Sequence, residues 1–289
     1  MNCDQKSCAS CKGDSKKSRE ELIGCKLSRI KHKLVVMSGK GGVGKSSVAT
    51  YLSLALAQQG FKVGLLDIDL HGPSIPRMFG LHGVLNIAQD RAIVPHQYSP
   101  NLKIVSIESM LEDTDSAIIW RGPLKHGVIV QFLADCEWED LDFLVVDSPP
   151  GTGDEPLSIS KLITDAKAII VTTPQEVALA DVRKSINFCR KVDLDILGLV
   201  ENMSGLSCPH CNEFIPIFRT GGGLKTSDKM KVHFLGELPF DPKVVEGGDR
   251  GVPVLEESGN TPFRTAVLQF AEAVLARLGE AGKPKAANE

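Results

Sequence analysis

No stretch of this chain approaches the ~20 consecutive apolar residues needed to cross a bilayer, and its first residues lack the apolar segment of a secretory signal. A cytoplasmic protein with no membrane partner is therefore the expectation. Basic charge is not in excess either. Lys and Arg number 33 against 36 Asp and Glu, a formal net charge of -3, so no overall positive field draws the chain to nucleic acid. Internal repeats are also absent. Eight cysteines are present, but thiols in a reducing compartment stay reduced, so their clustering carries more information than their number. What the chain does have is length and apolar content: 289 residues, 42% of them hydrophobic, are ample for one large α/β domain.

Residues 1–33 place Cys3, Cys8, Cys11 and Cys25 among seven Lys and two Arg with almost no apolar periodicity. They read as a flexible arm unless a metal ties them down. From Leu34 to Gly279, short apolar runs alternate with amphipathic stretches, the pattern of repeated βα units on a mainly parallel sheet with helices on both faces. Strands are expected near 34–38, 62–67, 103–107, 142–147, 167–172, 195–201 and 232–236, and helices near 45–59, 123–135, 177–191 and 262–278. The tail 280–289 has no apolar face and is expected to fray.

The expected strand Leu34–Ser38 runs into Gly39-Lys-Gly-Gly-Val-Gly-Lys-Ser46, which satisfies G-x-x-x-x-G-K-[ST] in a strand–loop–helix setting. Glycines Gly39, Gly41, Gly42 and Gly44, with Val43, let main-chain N–H groups converge on phosphate oxygens, and the following helix adds its positive end at Ser46 and Ser47. Lys45 supplies charge at the β- and γ-phosphates, and the Ser46 hydroxyl is placed for Mg²⁺. Two acidic strand ends complete such a site. Lys62–Leu66 leads into Asp67-Ile-Asp69, and Phe143–Val146 ends in Asp147, the Walker B arrangement, which would hold Mg²⁺. Asn202, after Leu197–Glu201, carries an amide suited to an adenine edge, though an Asn at a strand end is also a routine turn residue.

Lys40, directly after the first glycine, makes the loop resemble the deviant Walker A ATPases, whose members include Mrp/ApbC, MinD, ParA and the nitrogenase iron proteins. That resemblance implies a nucleotide-sandwiched homodimer in which Lys40 reaches the partner's phosphates. It further implies that Asp67 and Asp69 lie in switch I, with Asp69 orienting the attacking water and Asp67 organising metal and loop. Ser148–Asp154 resembles switch II, with Gly151 near the γ-phosphate. Lys40, Lys45, Asp69 and Asp147 are then the catalytic set.

After Asn202, Cys208-Pro-His-Cys211 opens an excursion near 203–223. Two thiolates are half of a tetrahedral Zn²⁺ site or of a [4Fe–4S] site, and a two-fold dimer would complete either. Glu201-Asn-Met-Ser204 with this Cys pair, Trp120-Arg-Gly-Pro123 and Asp147-Ser-Pro-Pro-Gly-Thr-Gly-Asp154 closely resemble the Mrp/ApbC/Nbp-type iron–sulfur carrier ATPases over roughly residues 30–278. The resemblance implies ATP hydrolysis coupled to a [4Fe–4S] cluster bridging two subunits and handed to apo-proteins. Cys3, Cys8, Cys11 and Cys25 are candidates for a second cluster, although the order of their gaps differs from the Nbp-type arm. Cys136 and Cys189 read as ordinary buried thiols. The rival reading is a MinD- or ParA-like positioning or partition ATPase with zinc or no metal at the Cys pair. It would act through a membrane-seeking helix or a basic DNA surface, and neither is evident.

Overall fold

The computed structural model describes residues 18–69, 72, 74–88, 92–110, 122–208, 210–211, 213–257 and 259–281. The folded chain begins earlier than its composition implies. Helix α1 (Arg19–Leu27) is opened by a reciprocal capping box, in which Ser18 accepts from the Glu21 N–H and the Glu21 carboxylate accepts from the Ser18 N–H. Such a cap contributes about 0.5–2 kcal/mol, and burial of Ile23, Cys25 and Leu27 adds the tertiary anchor a nine-residue helix needs. Residues 18–33, expected to belong to the arm, are therefore part of the domain. A Lys-rich composition hid a short helix with one apolar stripe.

Strand β1 (Ile30–Ser38) leads through the glycine loop into α2 (Lys45–Gln58), β2 (Val63–Asp67) and the short α3 (Ile75–Met78). A small hairpin of β3 (Asn86–Ile87) and β4 (Ile93–Val94) precedes β5 (His96–Ser99) and β6 (Leu102–Ser106). Then come α4 (Gly122–Asp135), β7 (Leu141–Asp147), α5 (Asp154–Leu162), β8 (Lys167–Thr172) and α6 (Glu176–Lys191). The chain closes with β9 (Asp195–Ser207), β10 (Phe214–Ile215), α7 (Gly222–Met230), β11 (Phe234–Phe240), α8 (Pro242–Arg250) and α9 (Pro262–Leu278).

The main sheet runs β10-β9-β8-β1-β7-β2-β6-β5, with β11 also on β9. Strands β11, β9, β8, β1, β7, β2 and β6 are parallel, and β5 and β10 pair antiparallel. Strands such as Leu34–Met37 and Leu144–Val146 are fully buried, as a sheet covered on both faces demands. One apolar layer packs α2 and α9 against one face, and a second packs α1, α4, α5 and α6 against the other. Helix α9 spends Phe263, Val267, Phe270 and Val274 in the first layer, so its apolar stripe is core rather than membrane-seeking. No described helix is long and apolar enough to cross a membrane.

Glu280, expected to begin a frayed tail, is fastened instead. Its carboxylate lies 2.6 Å from Lys31 Nζ and 2.8 Å from His32 Nε2, and its hydrogen bonds to Lys31 and His32 hold its pKa below the usual carboxylate value.

Candidate functional site

The parallel register brings the expected groups to one edge. In β7 and β2, Asp147 is paired with Asp67, and in β7 and β1 it stands opposite Val36, three residues before the loop starts at Gly39. Carboxylates at the C-terminal ends of neighbouring strands thus face a helix N-terminus across the place where ligands bind in open α/β sheets.

The loop's shape follows from its glycines. Gly44, the residue before α2, has φ 76°, a conformation that penalises side chains, and a Cβ there would fall 2.2 Å from Asn202 Nδ2. Its Val43 neighbour has a buried side chain and a carbonyl that accepts a 2.9 Å hydrogen bond from that same Asn202 amide. Gly39 is needed for a different reason, since a Cβ would lie 2.4 Å from the Asp181 backbone of α6. A cleft of about 240 Å³ opens between the loop, Asp69, Ser74 and Pro150, with Lys40, Lys45 and Ser46 on its wall. A second cavity of about 350 Å³ adjoins it across Asp69 and Pro150, bordered by Lys125 and Glu155, whose side chains pair at 2.6 Å.

Charge in the cleft is concentrated and desolvated. Lys45 is buried, with Nζ 2.6 Å from Asp147 Oδ1 and 3.5 Å from Asp69 Oδ2. Burial works to lower its pKa, but Asp147, helped by Asp69 and Asp67, outweighs that and carries it above the usual lysine value. Asp67, wholly buried, is pushed up to about 8 by desolvation and by the charge on Asp147. Its two oxygens are already occupied: Oδ1 accepts from the Asp69 N–H at 3.0 Å and Oδ2 from the Ser106 hydroxyl at 3.0 Å. Asp67 is thus built to organise the loop more than to ligate. Asp147 is also raised by burial, against the pull of Lys45 and Ser46. Its Oδ2 is buried without a hydrogen-bond partner. A buried oxygen of this kind beside the Ser46 hydroxyl is the donor chemistry a hard cation such as Mg²⁺ takes.

Two expected residues behave differently from the reading of their motifs. Gly151 has φ 92°, and its N–H donates to the Ser38 carbonyl at 2.8 Å, so in this structure switch II is tied to the base of the loop and that amide is not turned toward a phosphate. Asn202 spends Nδ2 on Val43, which makes it a brace for the loop. Lys40 is half-buried on the cleft wall, and no carboxylate among the described residues pairs with it.

The cysteine pair lies at the far end of the same strand. Beyond Asn202, β9 continues to Ser207 and pairs with β10, so Cys208 and Cys211 occupy the connection of a small hairpin. Cys211 is exposed and Cys208 partly so. The N–H groups of His210 and Cys211, with the Cys211 thiol, lower the Cys208 pKa. Among the described residues no three or more Cys, His, Asp or Glu converge on a metal position, so one chain offers two thiolates.

Cys25, expected with Cys3, Cys8 and Cys11, is instead packed on the inner side of α1. The other three lie outside the described residues, as do Trp120 and Arg121. Cys136 and Cys189 are fully buried, and burial raises both thiols. Sequence reasoning passed over Lys125, Glu155 and Glu201. For the first two no local signal exists, because their pairing joins separate helices; the third stood inside the quoted Glu201–Ser204 run.

Known proteins are similar to this chain over most of its length. Residues 29–275 match the family described as ParA, NUBPL iron-transfer P-loop NTPase. The cytosolic Fe–S cluster assembly factor CFD1 of Kluyveromyces lactis is 51% identical over 235 residues, covering 78% of this chain and 83% of that protein. An iron–sulfur cluster carrier protein of Methanocaldococcus jannaschii is 46% identical over 251 residues, covering 86% and 87%. Among solved structures, a nucleotide-binding protein of Archaeoglobus fulgidus in complex with ADP, with cobalt found in it, superposes with a TM-score of 0.73 at 37% identity, covering 85% of this chain and 95% of that one.

Proposed function

This chain belongs to the ParA-type NUBPL iron-transfer P-loop NTPases, and from that membership we propose that it is a cytosolic ATP-hydrolysing carrier that receives a [4Fe–4S] cluster and passes it to apo-proteins. The observation that carries the reading is one continuous strand. β9 holds Asn202, which braces the phosphate loop at Val43, and ends at the hairpin bearing Cys208 and Cys211. A nucleotide site and a thiolate pair are thus built on the same element.

In this reading the main-chain amides of Gly41–Ser46 and the Nζ of Lys45 bind the triphosphate, displacing Lys45 in part from Asp147. Ser46 and Asp147 Oδ2 would hold Mg²⁺, which would supply positive charge to the phosphates, with Asp67 fixing the loop around them. Asp69, on the wall between the two cavities, orients the attacking water, and Lys40 acts across a homodimer on the partner's phosphates. The same two-fold brings two Cys208–Cys211 pairs together to give the four thiolates a cluster takes.

Anaerobic reconstitution with iron and sulfide, followed by Mössbauer spectroscopy, tests this. About four iron and four sulfide per dimer are expected in the wild type, and loss of that signal is expected in the Cys208→Ser/Cys211→Ser double variant with nucleotide binding preserved. Zinc alone, or a cluster that survives the double variant, would defeat the carrier reading.

A further inference from the structure

Glu201 is fully buried, lies outside the phosphate cleft, and has no part in the chemistry above. Its Oε1 accepts from Ser204 Oγ at 2.7 Å and from the Gly221 N–H at 3.1 Å, and its Oε2 accepts from the Gly223 N–H. Gly221 caps α7 and Gly223 lies in its first turn, where main-chain N–H groups have no partner inside the helix and favour negative charge.

These contacts have a particular position along the chain. Glu201 lies within β9, six residues before the strand ends at the cysteine hairpin, and its side chain clasps Gly221 and Gly223, where the chain coming back from that hairpin enters α7. The fit is close, since a Cβ at Gly223 would come within 2.9 Å of the Glu201 Cβ and 3.0 Å of Oε2. On the other side, Asn202 holds Val43, and Met203 Cε would be 3.5 Å from a Cβ at Gly44. Met203 itself has φ 57°, a backbone state that persists for a side-chain-bearing residue only where neighbours over-determine it. Three consecutive residues of β9 therefore touch the phosphate loop on one side and the N-terminus of α7, on the return from the cysteine hairpin, on the other.

We propose that Glu201 is the positioning residue that carries nucleotide occupancy from the phosphate loop to Cys208 and Cys211. A shift of Val43 on phosphate binding moves Asn202, Asn202 moves Glu201 along β9, and Glu201 moves the N-terminus of α7, so that the strand leading into the hairpin and the chain returning from it shift together. This route is independent of switch II. It rests on the carrier reading given above and specifies how its two sites communicate. Coupling of this kind is reciprocal, so metal at the cysteines must alter nucleotide affinity by the same factor.

The test uses full-length protein reconstituted with iron and sulfide. The rate at which bathophenanthroline removes iron is measured without nucleotide, with Mg-ADP and with a non-hydrolysable ATP analogue. Wild type is expected to show about a fivefold or larger change in rate with nucleotide. In Glu201→Gln, which keeps shape but leaves one oxygen for the Gly221 and Gly223 N–H groups and turns an amide donor against the other, the ratio is expected to fall within about twofold of unity. Its iron content, and its nucleotide affinity before iron is added, should stay near wild type. A wild-type ratio in Glu201→Gln overturns the proposal.

Hydrogen exchange at Gly221–Gly223 supplies a second readout, with nucleotide expected to change protection in wild type and not in the variant; unchanged exchange in wild type also overturns it. Should Glu201→Gln fold poorly, Gly223→Ala must uncouple the sites in the same way, and a preserved ratio there counts against Glu201. If wild type takes up no cluster, the carrier reading fails, and the exchange experiment alone decides the coupling.

Discussion

The Lys45 ammonium rests 2.6 Å from Asp147 Oδ1, and both side chains are buried at the junction of the phosphate loop and β7. The lysine that would meet a triphosphate is, in this structure, the counter-ion of the carboxylate that would meet the metal. Binding of Mg-nucleotide, as proposed, would exchange this one buried pair for two.

Replacing Lys45 with methionine should therefore damage more than binding. Asp147 and Asp69 would lose the cation that pairs with them, and breaking a buried pair in this way costs about 3–5 kcal/mol. Urea unfolding should show a loss of that order, with fluorescent-nucleotide binding abolished. Wild-type stability in the variant would mean that the pair is not the one that holds the site.

The raised pKa of Asp67 has a definite sign for stability. An acid whose folded pKa is about 8 against an ordinary value of 3.8 holds its proton in the folded state and releases it on unfolding between those values. Nucleotide-free protein should lose stability from this group as pH rises from about 4 to about 8, and Asp67→Asn should flatten that decline. Denaturant titrations of both proteins at pH 5.5 and pH 8 measure the difference; parallel profiles would refute the assignment.

For Lys40 the expected signature is a split between steps. Lys40→Ala should lower the hydrolysis rate on the order of a hundredfold while leaving ADP affinity within about threefold, because its target is charge developing across the dimer. An equal fall in ADP affinity would place the side chain on its own subunit's nucleotide.

Cys25→Ser offers a contrast with the cysteine pair. A hydroxyl in place of a thiol on the inner side of α1 should cost about 1–3 kcal/mol in thermal or urea unfolding. Iron content after reconstitution should not change. Loss of iron at unchanged stability would return Cys25 to the ligand set.

What could be read from the sequence is what local chemistry imposes. Phosphate binding needs a dense run of glycines between strand and helix, so Gly39–Ser46 is visible in any reading, and carboxylates at strand ends are marked by the apolar runs that precede Asp67 and Asp147. Helix α1 had its own signal in Ser18 and Glu21, three residues apart before Ile23 and Leu27, but the surrounding lysines masked it. The Glu201 clasp leaves no such trace. Its partners stand 20 and 22 residues away, across an excursion with no periodicity, so only the folded chain shows that they meet. The Asn202 amide is visible in the sequence as a hydrogen-bonding group, but its partner, the Val43 carbonyl, stands 159 positions distant and is brought to it by the fold.

The fastening of Glu280 to Lys31 and His32 has a practical side for anyone handling the molecule. Those two residues open β1, whose nine residues rise about 30 Å before the glycine loop begins. An affinity handle or reporter appended past Glu280 thus departs from the rim opposite the nucleotide, where it should leave both chemical centres unobstructed.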